Sequence, residues 1–245
     1  MFAASRWPGS MLVRAVFDRG AAKTTDARPK HAPDGVASIT DQHGGAWISG
    51  HRTDYAPYYQ LIADAGFTVV SLDYSLGPEH TYPTAVEQLR DAHAYVLANA
   101  ERLHVDSNRI VLAGNSAGAQ LSSQLTAPAT NPDYAREVGI ESALRPEQLR
   151  GVVLNCGIYE VTEMVGGPGI VGWGDKSLWA YTGTRDLANS TAMAQMSTLQ
   201  RHRGLPAGVH LGRQRGPPER QAVPGDGRET HRPRRTSSTS TPPTA

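Results

Sequence analysis

The sequence of 245 residues contains a single cysteine and no long apolar run. One cysteine excludes an internal disulfide framework and a multi-cysteine metal site. Because Cys156 lies in the apolar run of residues 152–156, we predict a small core residue there rather than a nucleophile. The N-terminus carries Arg6, Pro8 and Arg14 where a signal peptide needs an apolar block. No segment approaches the length of a membrane span, so we predict a cytoplasmic protein.

Neither sign of charge is in excess over the whole chain. The formal net charge is +1, which indicates no strongly acidic or basic partner. The distribution is uneven, however: residues 201–245 are rich in Arg, Pro, Gly, Ser and Thr and have almost no large apolar side chains. We predict that this tail is disordered. Nucleic-acid binding by the tail is an alternative, but aromatic residues are few there and no recognised nucleic-acid-binding module is present.

Strand-like and helix-like patterns alternate along the middle of the chain. β-branched and apolar runs predict strands at residues 11–17, 36–40, 67–72, 110–113 and 151–155. Apolar residues at helical spacing predict helices at residues 53–65, 83–100 and from the serine motif to Pro128, with a short helix at 177–181. Residues 131–150 are a polar excursion from this pattern, and we expect loops at residues 166–169 and 172–174. The alternation predicts a mostly parallel sheet with helices on both faces. Three regions follow: a poorly defined segment at 1–40, an α/β domain at 41–200 and the tail at 201–245.

Residues 114–118 read Gly-Asn-Ser-Ala-Gly, a G-x-S-x-G motif between a predicted strand and a predicted helix. In this context the motif predicts a nucleophile elbow with Ser116 as the nucleophile. A serine at such a sharp turn needs closely packed neighbours, and Gly114 and Gly118 remove the side chains that would collide. The alternative is an ordinary Gly/Ser-rich turn that only joins the strand to the helix.

A second motif, HGGAW at residues 43–47, precedes the serine by roughly seventy residues. Esterases with a nucleophile elbow carry an HGGG-type oxyanion loop in the corresponding position. An ester carbonyl attacked by serine becomes an oxyanion, which needs donors about 2.7–3.1 Å away. Adjacent glycines at 44 and 45 let backbone N–H groups approach without a Cβ in the way. The amide of Ala117 would supply a further donor.

The two motifs, together with DYSLGPEHTYPTAVEQLRDA at residues 73–92, resemble the hormone-sensitive-lipase-like carboxylesterases of the α/β-hydrolase fold. The resemblance extends over about residues 42–197. It implies hydrolysis of short or medium carboxylic esters, a small-molecule substrate class, without a cofactor or metal. It also implies that Ser116 is the nucleophile and that Gly44, Gly45 and Ala117 form the oxyanion hole. Related folds with similar His-Gly-Gly loops cleave formamides, so amide substrates remain open.

The acid and the base of a serine triad cannot be identified from the sequence. The family places both after the serine, so we interpret His80 and Glu79, which precede it, as structural. The histidines that follow Ser116 all lie in the tail: His202, His210 and His231. Asp226 and His231 have the right order but are only a few residues apart. Asp186 is another weak candidate for the acid.

The composition of the tail suggests an origin for this gap. Suitable codons for residues 202–221, read one base out of frame, would encode the peptide IADFPPAFISGGNADPL. This peptide has an apolar strand followed by a turn that resembles the family's acid-bearing turn. We therefore hypothesise a frameshift after Leu199, which sequencing of the coding DNA would test; a genuinely disordered basic tail is the alternative. Since polar Asp41 and Gln42 precede His43 where the family has an apolar run, we also suspect missing residues between Thr40 and His43. We thus expect an α/β-hydrolase fold that is incomplete at both ends.

Two functional hypotheses follow from these observations. The first is a carboxylic-ester hydrolase that forms a serine acyl-enzyme. The second is a non-catalytic pseudoenzyme or fragment that binds an acyl ligand or a partner. Because the base is missing from the readable part, we expect turnover near background. The sequence does not specify the oligomeric state.

Overall fold

The computed structural model describes residues 16–17, 37–165 and 171–201. Strands in this part form one sheet in the order β1-β3-β2-β4-β5. They are β1 (Val16–Phe17), β2 (Ser38–Gln42), β3 (Thr68–Leu72), β4 (Ile110–Asn115) and β5 (Leu149–Asn155). Strands β2 to β5 run parallel to their neighbours, whereas β1 is antiparallel to β3. The mostly parallel sheet that the sequence predicts is confirmed.

Helices connect the parallel strands and cover both faces of the sheet. They are α1 (Ala56–Asp64), α2 (Thr84–Ala98), α3 (Ala117–Thr130), α4 (Pro132–Val138), α5 (Val171–Thr182) and α6 (Thr191–Met196). Successive residues of a strand point to opposite faces, so contacts of β2 assign the layers. Asp41 accepts a hydrogen bond from Tyr59 of α1, whereas Thr40 bonds to His93 of α2. Helix α1 therefore lies on one face and α2 on the other, with α3 beside α2.

Strand β2 extends two residues further than the sequence predicts. Asp41 and Gln42 pair with both neighbouring strands and are buried, so this polar pair belongs to the strand. The strand is continuous from Thr40 to Gln42 and leads directly into His43. Burial raises the pKa of Asp41 from 3.8 to about 7, and the hydrogen bond from Tyr59 opposes this rise only in part.

The predicted loop at 172–174 is wrong, and the polar excursion at 131–150 includes a helix. The stretch 131–150 contains α4, which begins where the Asn131 side chain accepts hydrogen bonds from the amides of Asp133 and Tyr134. Residues 172–174 lie inside α5, where apolar Leu178 and Tyr181 are buried and stabilise a helix despite its glycines. Helix α6 was not predicted at all. The predicted loop at 166–169 and the tail beyond residue 201 lie outside the described residues.

The prediction for Cys156 is also wrong, because its side chain is exposed. The residue lies just past the end of β5 and has a φ of 53°. Val153 and Asn155 of β5 are exposed as well, so the apolar run does not mark a strand buried on both faces.

Within the described residues, no helix is both long and apolar enough to cross a lipid bilayer. The same part of the chain holds no group of three or more His, Cys, Asp or Glu side chains arranged to bind a metal ion.

Candidate active site

Ser116 occupies a sharp turn between β4 and α3. Its φ of 54° and ψ of −116° are unusual for a residue with a side chain. The Ser116 N–H donates to the carbonyl of Asn155 in β5 at 2.8 Å, and the Ser116 carbonyl accepts from the N–H of Gln120 at 3.1 Å. Hydrogen bonds to the sheet and to the helix therefore hold the strained conformation from both sides.

The two glycines of the motif are required by backbone contacts. A Cβ on Gly118 would lie 1.9 Å from the carbonyl oxygen of Gln42 and 2.5 Å from that of His43. A Cβ on Gly114 would lie 2.4 Å from the carbonyl carbon and oxygen of Gly118. The ends of β2 and β4 and the start of α3 are thus in direct backbone contact, as the elbow interpretation expects.

The loop after β2 lies directly against the elbow. A Cβ on Gly44 would lie 3.0 Å from the Asn115 carbonyl oxygen and 3.5 Å from the Ser116 Cβ. Gly45 has a φ of +110°, and its carbonyl accepts the N–H groups of Ile48 at 3.1 Å and Ser49 at 3.0 Å. The structure therefore brings HGGAW and the serine motif together.

The N–H groups of Gly44, Gly45 and Ala117 find no hydrogen-bond acceptor among the described residues. Ala117 opens α3, and amides in the first turn of a helix have no intrahelical partner and lie at the positive end of the helix dipole. Donors of this kind beside a serine can bind a developing oxyanion.

His43 stabilises the loop rather than activating Ser116. Its Nδ1–H donates to the Gly44 carbonyl at 2.8 Å, and its ring stacks on Tyr74 with centroids 4.3 Å apart. The Tyr74 hydroxyl donates to the His43 carbonyl at 2.9 Å, and His43 Nε2 lies 3.8 Å from Asp73 Oδ1. Burial lowers the pKa of His43, which favours the neutral ring. Both ring nitrogens face groups other than the serine hydroxyl.

Trp47 connects the same loop to the helices. The side chain is buried, its Nε1–H donates to Gln120 Oε1 at 3.2 Å, and its ring stacks on Tyr181 at 5.5 Å. The Trp47 carbonyl accepts the N–H of Gly77 at 2.8 Å. Asp73, Tyr74 and Gly77 all belong to the segment DYSLGPEH, so this segment supports the loop. Sequence reasoning assigned no role to Trp47, Asp73 or Tyr74, although all three lie inside the motifs it singled out.

The structure supplies no base for Ser116 within the part that it describes. No described side chain forms a hydrogen bond with Ser116 Oγ. The exposed Asp186 carboxylate instead accepts from the Asn189 side chain at 3.0 and 3.1 Å. His80 and Glu79 are exposed and form no side-chain hydrogen bond with described residues. The remaining candidates lie outside these residues: His202, His210, Asp226 and His231.

A parallel sheet that presents a serine elbow beside a Gly-Gly loop defines an α/β-hydrolase architecture. A family model described as "alpha/beta hydrolase fold" matches residues 39–167, just over half of the chain. The chain therefore belongs to the α/β-hydrolase family.

Curated relatives confirm the resemblance to hormone-sensitive-lipase-like esterases. A putative α/β hydrolase of Acanthamoeba polyphaga mimivirus is 30% identical over 118 residues, which cover 46% of this chain and 34% of the relative. Human hormone-sensitive lipase is 35% identical over 95 residues, 38% of this chain and 9% of the lipase. Esterase LipC of Mycobacterium tuberculosis is 36% identical over 97 residues, 39% of this chain and 24% of the esterase. The matched region thus spans 9% to 34% of each relative.

Solved structures support the fold. An inhibited esterase B from Lactobacillus rhamnosis has a TM-score of 0.56 at 18% identity, with 69% of this chain and 54% of that chain covered. A bacterial heroin esterase has a TM-score of 0.55 at 23% identity, with 73% and 56% covered. At these identities the likeness confirms the fold alone.

Proposed function

We propose that the chain is a carboxylic-ester hydrolase that acts through an acyl-enzyme on Ser116. The observation that carries the proposal is the strained Ser116, with a φ of 54°, packed against Gly44. The amides of Gly44, Gly45 and Ala117, which have no acceptor in the part of the chain that the structure describes, support their assignment as the oxyanion hole. The names of the curated relatives, among them a lipase and an esterase, support the same reaction class.

In the first half-reaction, Ser116 Oγ attacks the ester carbonyl carbon and forms a new C–O bond. The carbonyl π electrons move to the oxygen, where the three amides would stabilise the charge. The bond to the alcohol then breaks, and the alcohol leaves with the proton that the serine has lost. In the second half-reaction, water attacks the acyl carbon, the acid is released and Ser116 regains a proton. No cofactor takes part in this proposal.

A serine hydroxyl needs a base to react rapidly at neutral pH. The tail histidines are the candidates because they are the ones that follow Ser116 in the sequence: His202, His210 and His231. Without a base, we expect turnover to fall by a factor on the order of 10⁴ to 10⁶, with only oxyanion and binding effects remaining.

Hydrolysis of p-nitrophenyl butyrate by the full chain tests the proposal. Ser116→Ala should abolish the enzyme-dependent rate, whereas the matched change Ser107→Ala, at a half-buried serine in the turn before β4, should not. If the Ser116→Ala rate equals that of the unmodified chain, the proposal is wrong. If Ser116→Ala abolishes the rate, single alanine variants of the three tail histidines should identify the base, and formanilide assayed in parallel separates ester from amide preference.

The absence of a described side chain bonded to Ser116 Oγ favours one alternative, a non-catalytic chain that binds an acyl ligand or a partner. Labelling with a fluorophosphonate distinguishes the two, because the reaction needs an activated hydroxyl. Labelling that Ser116→Ala abolishes supports the hydrolase. Binding of a butyrate ester without labelling or turnover supports the non-catalytic function.

A further inference from the structure

The Asp73 carboxylate lies immediately after β3 and binds the far end of the loop that carries the oxyanion amides. Asp73 Oδ1 accepts the backbone N–H of Arg52 at 2.7 Å, and Oδ2 forms an ion pair with the Arg52 guanidinium. His51 Nε2 lies 3.4 Å from the same Oδ2. The Asp73 side chain is 22% exposed and that of Arg52 is 13% exposed, so the pair is shielded from most solvent screening.

Arg52 is held by its backbone as well as by its side chain. The Ser71 hydroxyl, from β3, donates to the Arg52 carbonyl at 2.8 Å. The end of β3 thus binds the N–H, the carbonyl and the guanidinium of one loop residue. Such a set of contacts fixes the position of the backbone around residue 52.

Gly50 connects the backbone around Arg52 to residues 43–47, the segment that carries the proposed oxyanion amides. It has a φ of +106°, and a Cβ on it would lie 2.4 Å from both the Gly44 carbonyl oxygen and His43 Nδ1. There is no room between this part of the backbone and the peptide of Gly44. Gly44 in turn packs on Asn115 and Ser116. A continuous series of contacts therefore runs from Asp73 through Arg52 and Gly50 to the elbow.

We propose that Asp73 is a positioning residue, which through Arg52 and Gly50 holds the amides of Gly44 and Gly45 at Ser116. It need not touch the substrate. Its effect on rate rests on the proposed ester hydrolysis, but its effect on the loop does not. Loss of the carboxylate charge should release residues 43–54 while β4 and α3 keep their structure.

Hydrogen–deuterium exchange of the full chain measures this release directly. In Asp73→Asn, we expect exchange in residues 43–54 to accelerate about tenfold or more, with exchange in residues 110–130 unchanged. Asp73→Glu, which keeps the charge, should restore part of the protection. Asp133→Asn is the matched control, because it breaks an exposed carboxylate–arginine pair with Arg136 on α4. Arg52→Gln removes the same ion pair from the other side and should reproduce the effect.

The rate of Ser116 labelling by a fluorophosphonate supplies the functional measurement. Displacement of the amides should slow labelling in Asp73→Asn by about tenfold to a hundredfold. If ester turnover is measurable, kcat should fall with little change in KM, because the amides act on the transition state.

Two exchange results would overturn the positioning role: unchanged exchange in residues 43–54, or an equal acceleration in residues 43–54 and 110–130. The second result would make Asp73 a general stabilising residue. If the unmodified chain is not labelled at Ser116, the ester hydrolase proposal fails, while the exchange experiment still decides the role of Asp73.

Discussion

The elbow at residues 114–118 and the loop after β2, residues 43–54, meet at Ser116 but are held in different ways. The elbow is fixed by backbone contacts: the positions that a Cβ would take on Gly114 and Gly118 are filled by backbone atoms. Residues 110–130, which include β4 and all of α3, contain no ionisable side chain. The loop is held mainly by side chains and lies among charged or titratable groups: Asp41, His43, His51, Arg52 and Asp73. We infer that pH and salt act on the site through the loop and leave the elbow unchanged.

The largest effect is expected from Gly118→Ala, which attacks the backbone contact of the elbow. Its Cβ would lie 1.9 Å from the Gln42 carbonyl oxygen, so β2 and α3 would have to separate. We expect a loss of unfolding free energy above about 4 kcal/mol, or failure to fold. Urea denaturation followed by circular dichroism measures it.

Gly151→Ala is the matched control for that change. It lies in β5, where a Cβ would meet only Val111 side-chain atoms at 3.9 and 4.0 Å. We expect a change within about 1 kcal/mol. Equal destabilisation by the two variants would contradict the backbone account of the elbow.

A somewhat smaller effect is expected from Asp41→Asn, which tests pH sensitivity on the loop side. Between pH 4 and 7 the folded chain keeps a proton on Asp41 that the unfolded chain has released, so stability falls as pH rises through this range. A pKa raised from 3.8 to about 7 corresponds to a loss of about 4 kcal/mol above pH 7. Asp41→Asn should therefore be more stable than the unmodified chain at pH 8 and similar to it at pH 4.

His93 of α2, which contacts the opposite face of β2, makes stability depend on pH in the reverse direction. Its contribution must therefore be separated from that of Asp41. Burial lowers the pKa of His93 from 6.5 to about 4, and stability is therefore lost as pH falls from 6.5 towards 4. In Asp41→Asn the rise of stability with pH that His93 produces, together with that from His43, whose pKa burial also lowers, should remain. If urea midpoints of Asp41→Asn still fell between pH 5 and 7, Asp41 would not be the group responsible.

The smallest effect is expected from Trp47→Phe, which removes one side-chain contact of the loop. The hydrogen bond to Gln120 is lost and the stack on Tyr181 is reduced, while Gln120 Oε1 still accepts from Gln124 at 2.9 Å. We expect a loss of about 2 kcal/mol in unfolding free energy. The measurement is the urea midpoint, and a loss as large as that of Gly118→Ala would show that side chains hold the two regions equally.

Sequence reasoning located the parts of the site that depend on local rules. Gly114 and Gly118 flank the serine because the turn has no space for a Cβ at either position. That requirement can be recognised from the five residues of the motif alone. Strand β3 follows such a rule: its β-branched run predicts a buried strand, and the structure shows every residue of the strand buried. The same logic placed the helices on both faces of the sheet.

What the sequence did not reveal depends on contacts between distant residues. Asp41 and Gln42 look wrong for a strand until Tyr59 and Ser122 are seen to bond to them across the layers. Asp73 is 21 residues from Arg52, and nothing in either local pattern predicts their pairing. The sequence predicts helix α5 only over residues 177–181, because burial of Leu178 and Tyr181 stabilises the helix despite its two glycines.

The hydrogen bond from the Ser116 N–H to Asn155 has a consequence for the order in which the site can form during synthesis. The loop after β2 is made first, and Ser116 follows 73 residues after His43. Asn155, which accepts the hydrogen bond from the Ser116 N–H, comes 39 residues later still. A nascent chain that ends before Asn155 lacks the strand against which the elbow is held. Ser116 therefore acquires its strained geometry only after β5 has left the ribosome and paired with β4.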